Sequence, residues 1–205
     1  MRATLLCFTL PALVLTASLP VAASADTAEY AQTVSFESVN FPGRYIRHSF
    51  FLGVLTPISS GLDKADATFI RRPGLSGLQN TVSFESINIP GHFLRHQNLR
   101  LKLQRNDGSD LFRRDASFFY RPGLSWEYPY AVSLESANVP GHFIRHQNFE
   151  LWLVRSESTA RFANDASFYP RSGLWPDIQQ LNQEQLLGQQ PTLPQPQGGT
   201  QVLDR

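Results

Sequence analysis

The amino-acid sequence predicts an all-β protein in which three tandem copies of a four-strand unit close into one small barrel. Three observations carry that expectation. One phrase is written three times: VSFESVNFPGRYIRH from Val34, VSFESINIPGHFLRH from Val82 and VSLESANVPGHFIRH from Val132. A second phrase closes each copy: DATFIRRPGL from Asp66, DASFFYRPGL from Asp115 and DASFYPRSGL from Asp165. Ser35, Ser83 and Ser133 mark the register, so the period is 48 and then 50 residues. Self-similarity at that length signals a repeat architecture whose single unit cannot bury its own apolar face. Next, short segments alternate polar and apolar side chains, the two-residue period of a half-buried strand. Finally, proline–glycine turn signals punctuate every copy. Twelve strands in an open sheet would leave edges to manage, whereas a closed barrel removes most of them. The expected fold is therefore a β-trefoil with pseudo-threefold symmetry. A three-bladed stack of sheets is the competing arrangement, but three blades are fewer than propellers use.

Within a copy the elements follow in order. Ser83-Phe84-Glu85-Ser86 alternates as the first strand. Asn88-Ile89-Pro90-Gly91 then turns the chain; proline sets φ at the second position of a turn and glycine tolerates positive φ at the third, the requirements of type II. His92 to His96 is the second strand, and Leu99-Arg100-Leu101-Lys102-Leu103 is the third, matched by Phe149-Glu150-Leu151-Trp152-Leu153. A polar loop containing Asn106-Asp107-Gly108 follows, and Ala116 to Tyr120 makes the fourth strand. Arg121-Pro122-Gly123-Leu124 turns toward the next copy. Phe84, Leu94, Leu101, Phe118 and their counterparts are the expected core. Copy one is the least regular: Phe50-Phe51-Leu52-Gly53-Val54-Leu55 replaces the alternation, with Leu52 and Val54 where other copies carry polar or bulky groups.

The ends read differently. Arg2, the apolar run Leu5 to Leu19 and the small-residue pattern Ala23-Ser24-Ala25 describe a secretory signal peptide over residues 1–25, too short for a membrane span. Its removal would take Cys7, the only cysteine, so the secreted protein would enter an oxidising compartment without disulfides. The barrel is assigned to residues 33–175, with copies over about 33–80, 81–130 and 131–175. From Pro176 to Arg205 there are nine glutamines, four prolines and no aromatic residue. Asp177 to Leu187 fits a short helix stopped at Gly188, and the rest reads as a flexible tail. The whole chain has 18 basic and 17 acidic residues. That balance, with no basic block, argues against nucleic acid or an anionic membrane as partner.

Polar residues repeat as well as apolar ones. Each copy pairs a histidine ending the second strand with an aspartate opening the fourth: His48 with Asp66, His96 with Asp115, His146 with Asp165, at separations of 18, 19 and 19 residues. Arg47, Arg95 and Arg145 precede the histidines, and Asn98 and Asn148 follow two of them. A carboxylate accepts from two neighbouring hydroxyls, and an imidazole donates, accepts or covers an apolar ring face, so the pair suits a sugar. Tyr120, Tyr169 or Phe119 would offer a stacking surface, and the pocket, lying within one copy, would be shallow enough for one terminal or branching unit. The plainer reading is that each pair ties two strands together, a tie that duplication would preserve. A catalytic triad lacks a repeated nucleophile. One His and one Asp fall short of a metal shell, and no cofactor is expected. Glu37, Glu85 and Glu135 could pair with the aspartates in a two-carboxylate hydrolysis, but nothing in the spacing makes them converge.

The phrases SFES-x-N-x-PG-H-F-[LI]-RH, then [LF]-x-L-x-L, then DASF-x-x-RPGL resemble the arabinofuranose-binding domain of arabinofuranosidase B-type enzymes, carbohydrate-binding module family 42. The likeness runs from about Thr33 to Leu174. It implies a β-trefoil that binds L-arabinofuranose side chains of arabinoxylan or arabinan, with the strand-two histidine and strand-four aspartate lining each pocket. Carried over by motif, these are His96 with Asp115 and His146 with Asp165. His48 and Asp66 are retained in copy one, but their spacing is one residue shorter and Ser49-Phe50 replaces Gln-Asn. Family members often carry this module behind a catalytic domain, for which this chain has no room, so the resemblance implies a freestanding, secreted, monomeric binding module and not an enzyme.

Three readings follow. A carbohydrate-binding module would lose sugar retention on Asp115→Ala with Asp165→Ala while staying folded. A protein-interaction barrel with structural His–Asp pairs would instead lose its fold. A small arabinofuranosidase would release arabinose from a chromogenic arabinofuranoside.

Overall fold

A computed structural model describes residues 33–175. The leader assigned to residues 1–25 and the tail from Pro176 lie outside the described residues. Within them the chain is all-β apart from three single-turn helices. Copy one contributes β1 (Thr33–Ser38), β2 (Arg44–Ser49), β3 (Leu52–Pro57), α1 (Gly61–Asp66) and β4 (Phe69–Pro73). Copy two contributes β5 (Thr81–Ser86), β6 (His92–Gln97), β7 (Arg100–Arg105), α2 (Asp110–Asp115) and β8 (Phe118–Pro122). Copy three contributes β9 (Val132–Ser136), β10 (His142–Gln147), β11 (Glu150–Arg155), α3 (Ala160–Asp165) and β12 (Phe168–Ser172).

The first and fourth strands close a ring. β4 pairs β5, β8 pairs β9, and β12 returns to pair β1, each antiparallel over five residues. Shorter pairings of β1 with β4, β5 with β8 and β9 with β12 complete the circuit. Each second and third strand forms a six-residue hairpin, as in β6–β7. The hairpins converge on one another through β3–β7, β7–β11 and β11–β3. Every fourth strand thus pairs mainly with the first strand of the next copy, so no copy completes its sheet alone. The expected type II turns are present: Gly91 has φ of 77°, and His92 N–H donates to Ile89 O at 3.1 Å.

The barrel interior holds the predicted core. Phe36, Phe84 and Leu134 from first strands meet Phe69, Phe118 and Phe168 from fourth strands, all fully buried. The Phe36 and Phe84 rings meet edge to face at 5.1 Å, a preferred aromatic geometry. Burying each such side chain contributes about 1.5–3 kcal/mol. In copy one, Gly53 stands where Leu101 and Leu151 stand in the others, and a Cβ there would meet the Leu101 Cβ at 2.9 Å. The gap also admits the buried Arg100, whose guanidinium donates to Gly53 O and Leu151 O, both at 2.6 Å, and to Leu101 O at 3.2 Å. One side chain therefore ties equivalent carbonyls of all three copies. Burial pulls its pKa down, partly offset by Glu150. Val54, on the apolar outer face of copy one, pairs with Glu150 of the neighbouring β11 and is half-buried, while Leu52 stays 41% exposed.

Two expectations are corrected. The loop before each fourth strand contains a helical turn, capped by Ser60, Ser109 or Thr159, whose hydroxyl accepts from the N–H three residues on. Six residues are too few to show a helical period, so only the cap could have signalled it. The aspartates consequently end these helices; the fourth strands begin three residues later, at Phe69, Phe118 and Phe168.

Candidate functional site

Each expected His–Asp pair forms, and at nearly one distance. Nε2 of His48, His96 and His146 lies 3.3, 3.3 and 3.4 Å from Oδ1 of Asp66, Asp115 and Asp165. The residue missing from copy one is taken up in the loop before α1, so its pair keeps the geometry of the other two. All six side chains are buried.

The pairs do not stand alone, and they do not lie within one copy. The asparagine of each Asn-x-Pro-Gly turn reaches into the preceding copy, and copy one reaches back to copy three. Nδ2 of Asn88, Asn138 and Asn40 donates to Oδ1 of Asp66, Asp115 and Asp165 at 2.7, 2.7 and 2.8 Å. Their Oδ1 atoms face the histidine Nε2 atoms at 3.2, 2.9 and 3.1 Å. Ser86, Ser136 and Ser38 fix the amides by donating to the same Oδ1. The second aspartate oxygen accepts from the arginine before each histidine, at 3.1 Å from Arg47 and 3.0 Å from Arg145, with the same contact from Arg95. The arginines were visible in the repeat; the asparagines were read only as turn formers, and their offset into the next copy hid them.

Two acceptors face every Nε2. A neutral imidazole there carries its proton on Nε2, leaving Nδ1 as an acceptor; among the described residues none bonds that atom. Burial lowers the pKa of His48 and His146, with Asp66 and Asp165 opposing the shift, so both are neutral at neutral pH. Asn98 and Asn148 have no part in these networks. They hold φ of 50° and 51° at the hairpin corners, the left-handed conformation that asparagine tolerates.

The repeated glutamates point to other work. Oε1 of Glu37, Glu85 and Glu135 accepts from the glycine N–H of its own turn at 2.9, 2.8 and 3.0 Å. Oε2 accepts from Arg171, Arg72 and Arg121, each at 2.8 Å. They share no partner with the aspartates.

Site three opens onto a cleft of 570 Å³ lined by Asn40, Phe41, His146, Phe149, Arg161 and Asp165, among others. Phe41 stands edge-on to the His146 ring at 5.3 Å, and Phe149 lies nearly parallel to that ring at 6.5 Å. The equivalent positions are Ile89 and Phe51 at site one, and Val139 and Leu99 at site two. The expected stacking surface is therefore elsewhere: Phe119 and Tyr169 lie under Arg121 and Arg171, and Tyr120 packs on the core.

Fold and networks together define an all-β module that presents the same buried His–Asp–Asn–Arg arrangement three times. The chain belongs to the alpha-L-arabinofuranosidase B (ABFB) domain family, whose model matches residues 34–169 and, in a second match, 126–185. No curated protein sequence matches it. Among solved structures it is similar to a GH54 α-L-arabinofuranosidase soaked with a cyclic sulfate inhibitor (29% identity, TM-score 0.64). It is similar also to an arabinofuranosidase complexed with arabinofuranosyl-α-1,2-xylobiose (28% identity, TM-score 0.64). In both cases 71% of this chain is covered, but only 32% of the enzyme chain. A structure described as BEL beta-trefoil matches at 10% identity and TM-score 0.53 over 69% of this chain and 92% of its own, a likeness that bears on the fold alone.

Proposed function

We propose that residues 33–175 form a β-trefoil of pseudo-threefold symmetry that acts as a secreted, monomeric, non-catalytic carbohydrate-binding module. Its ligand is an L-arabinofuranosyl branch of arabinoxylan or arabinan, one per His–Asp site, with site three foremost. The observation that carries this reading is the site-three cleft. Among the described residues nothing bonds His146 Nδ1, Asp165 has lone-pair capacity beyond its bonds to Asn40 and Arg145, and Phe41 and Phe149 supply apolar walls. Hydroxyls of one small ring can answer the acceptors while its carbon face meets the aromatic edges. Membership of the family and likeness to the arabinofuranosidase bound to arabinofuranosyl-xylobiose support the same sugar. The glutamates, held by turn glycines and arginines away from the aspartates, support binding without hydrolysis. Cargo of the opposite kind, a polyanion, is disfavoured by the balanced charge.

The test is affinity electrophoresis through arabinoxylan. Retardation should collapse when methyl α-L-arabinofuranoside is added, and Phe41→Ala should weaken it about two- to tenfold, the loss of an aromatic contact of about 0.5–1.5 kcal/mol. No arabinose should be released during the run. Retardation that free arabinofuranoside does not compete would overturn the reading.

A further inference from the structure

A second cleft, of 360 Å³, lies beside α3 and is lined by Leu124, Trp126, Ser156, Glu157, Ser158 and Thr159, among others, with the buried Phe162 at its base. We infer that this cleft is a second carbohydrate subsite, taking one pyranose ring of the polysaccharide main chain beside the branch held in site three. The inference rests on the sugar-binding reading and extends it to a part of the ligand that the His–Asp networks do not touch.

Three observations lead there. The Trp126 side chain is 86% exposed, yet its loop is firmly held. Buried Ser125 donates its N–H to Ser167 Oγ at 3.1 Å and its hydroxyl to Asn164 Oδ1 at 2.6 Å. An indole on a fixed backbone offers a flat apolar face at little entropic cost, which is what the carbon face of a pyranose needs. The lining also includes the hydroxyls of Ser156 and Ser158 and the carboxylate of Glu157, groups that exchange hydrogen bonds with ring hydroxyls.

The second observation is the comparison between copies. The junction from copy one to copy two is anchored in the same way, with Ser76 N–H donating to Ser117 Oγ at 3.0 Å. There, however, Gly77 stands where Trp126 stands. The shared anchor meets the needs of the fold, so the indole is an addition. The same loop ends at Tyr130, 92% exposed with φ of 68°, where the first junction has Asn80 at 60°. A tyrosine in the left-handed region is costly where asparagine serves the equivalent turn of the first junction.

The third is continuity. Arg145 donates to Asp165 Oδ2 of site three and faces Glu157 Oε1 of the Trp126 cleft at 3.9 Å. This guanidinium lines the first cleft and approaches a lining residue of the second, so a branch in the first leaves its parent chain within reach of the second.

The experiment follows the three indole N–H signals of Trp126, Trp152 and Trp175 by NMR during separate titrations with unsubstituted xylohexaose and methyl α-L-arabinofuranoside. Because Trp126 is exposed, Trp126→Ala identifies its signal without disturbing the fold. Xylohexaose is expected to move the Trp126 signal. Trp126→Ala should weaken xylohexaose at least about tenfold, with Trp126→Phe keeping most of the affinity, while arabinofuranoside binding stays unchanged. If arabinofuranoside binds at His146 but xylohexaose leaves the Trp126 signal in place, the subsite is overturned and the site-three reading stands. If xylohexaose moves Trp126 while arabinofuranoside binds nowhere, the platform stands and the branch reading falls.

Discussion

Replacing Asp115 by alanine separates a carboxylate that serves the fold from one that serves only a ligand. Asp115 is 4% exposed and Arg95 7%. The carboxylate accepts from Arg95 on one oxygen and from Asn138 on the other, at 2.7 Å for the latter, with His96 Nε2 at 3.3 Å. Its removal leaves a buried guanidinium whose remaining hydrogen bond is Nε–H to His96 O at 3.0 Å. Breaking a buried pair from one side costs about 3–5 kcal/mol, against a total stability of about 5–15 kcal/mol for a domain. A carboxylate free to face solvent and sugar would cost under about 0.5 kcal/mol. In urea, with m of about 2 kcal/mol/M, the midpoint should fall by about 2 M. Asp115→Asn, which keeps the shape and one acceptor oxygen, should fall in between. A midpoint for Asp115→Ala within about 0.3 M of wild type would refute the structural role. The expectation that aspartate-to-alanine variants unfold close to wild type stands or falls with that midpoint. Loss of sugar retention in such a variant carries no information about contact, which is why the binding test uses Phe41.

Stability should also depend on pH through the histidines. Burial holds His48 and His146 below the ordinary imidazole value, so as pH falls through about 6.5 the unfolded chain takes up protons before the folded one does. The unfolded state binding more protons means that stability rises with pH across this window and is lost as pH falls toward the lower folded value. Thermal unfolding between pH 7.5 and 5 should show that loss, and it should be smaller in His48→Gln and His146→Gln; an unchanged slope in both variants would remove the histidines as its source. At the copy-one hairpin, Phe50 has φ of 49° and is 96% exposed, where the other copies place asparagine. Phe50→Asn should stabilise by about 0.5–1 kcal/mol, read as a higher urea midpoint, and a lower midpoint would mean that the ring makes a contact which its exposure denies.

Much of this molecule was legible because three copies vote on every position. Phe84, Leu94 and Phe118 could be assigned to the core from alternation alone, and the turns from Pro90-Gly91. Repetition of polar residues was a poorer guide to function. Glu85 recurs because every copy has a turn glycine N–H and a neighbouring arginine to satisfy, and Ser83 recurs because its hydroxyl bridges Ala116 O and the Leu75 N–H. A buried polar group without a partner is costly, so duplication retains such residues as firmly as it retains phenylalanine. What the sequence concealed was connectivity between copies. Asn138 looks local to its own turn, and only the ring of strands shows that it completes the network of His96 and Asp115. The walls of site three were hidden for the same reason, since Phe41 and Phe149 come from opposite ends of the domain.

That connectivity makes the three sites unequal in how they are assembled. Asn88 and Asp66 are 22 residues apart, and Asn138 and Asp115 are 23, whereas Asn40 and Asp165 are 125 apart. The entropy of closing a loop grows with its length, by about (3/2)RT per unit of ln n. On that scale the bond from Asn40 costs about 1.5 kcal/mol more than its equivalents. It is repaid only when β12 pairs β1, because the same closure aligns five residues of strand and seats Glu37 against Arg171. Site three is thus the one arrangement that cannot form until the two ends of the barrel have met. The cleft with aromatic walls on both sides of its histidine stands at that seam, so the surface best furnished to hold a sugar is also the one that depends on the whole ring being closed.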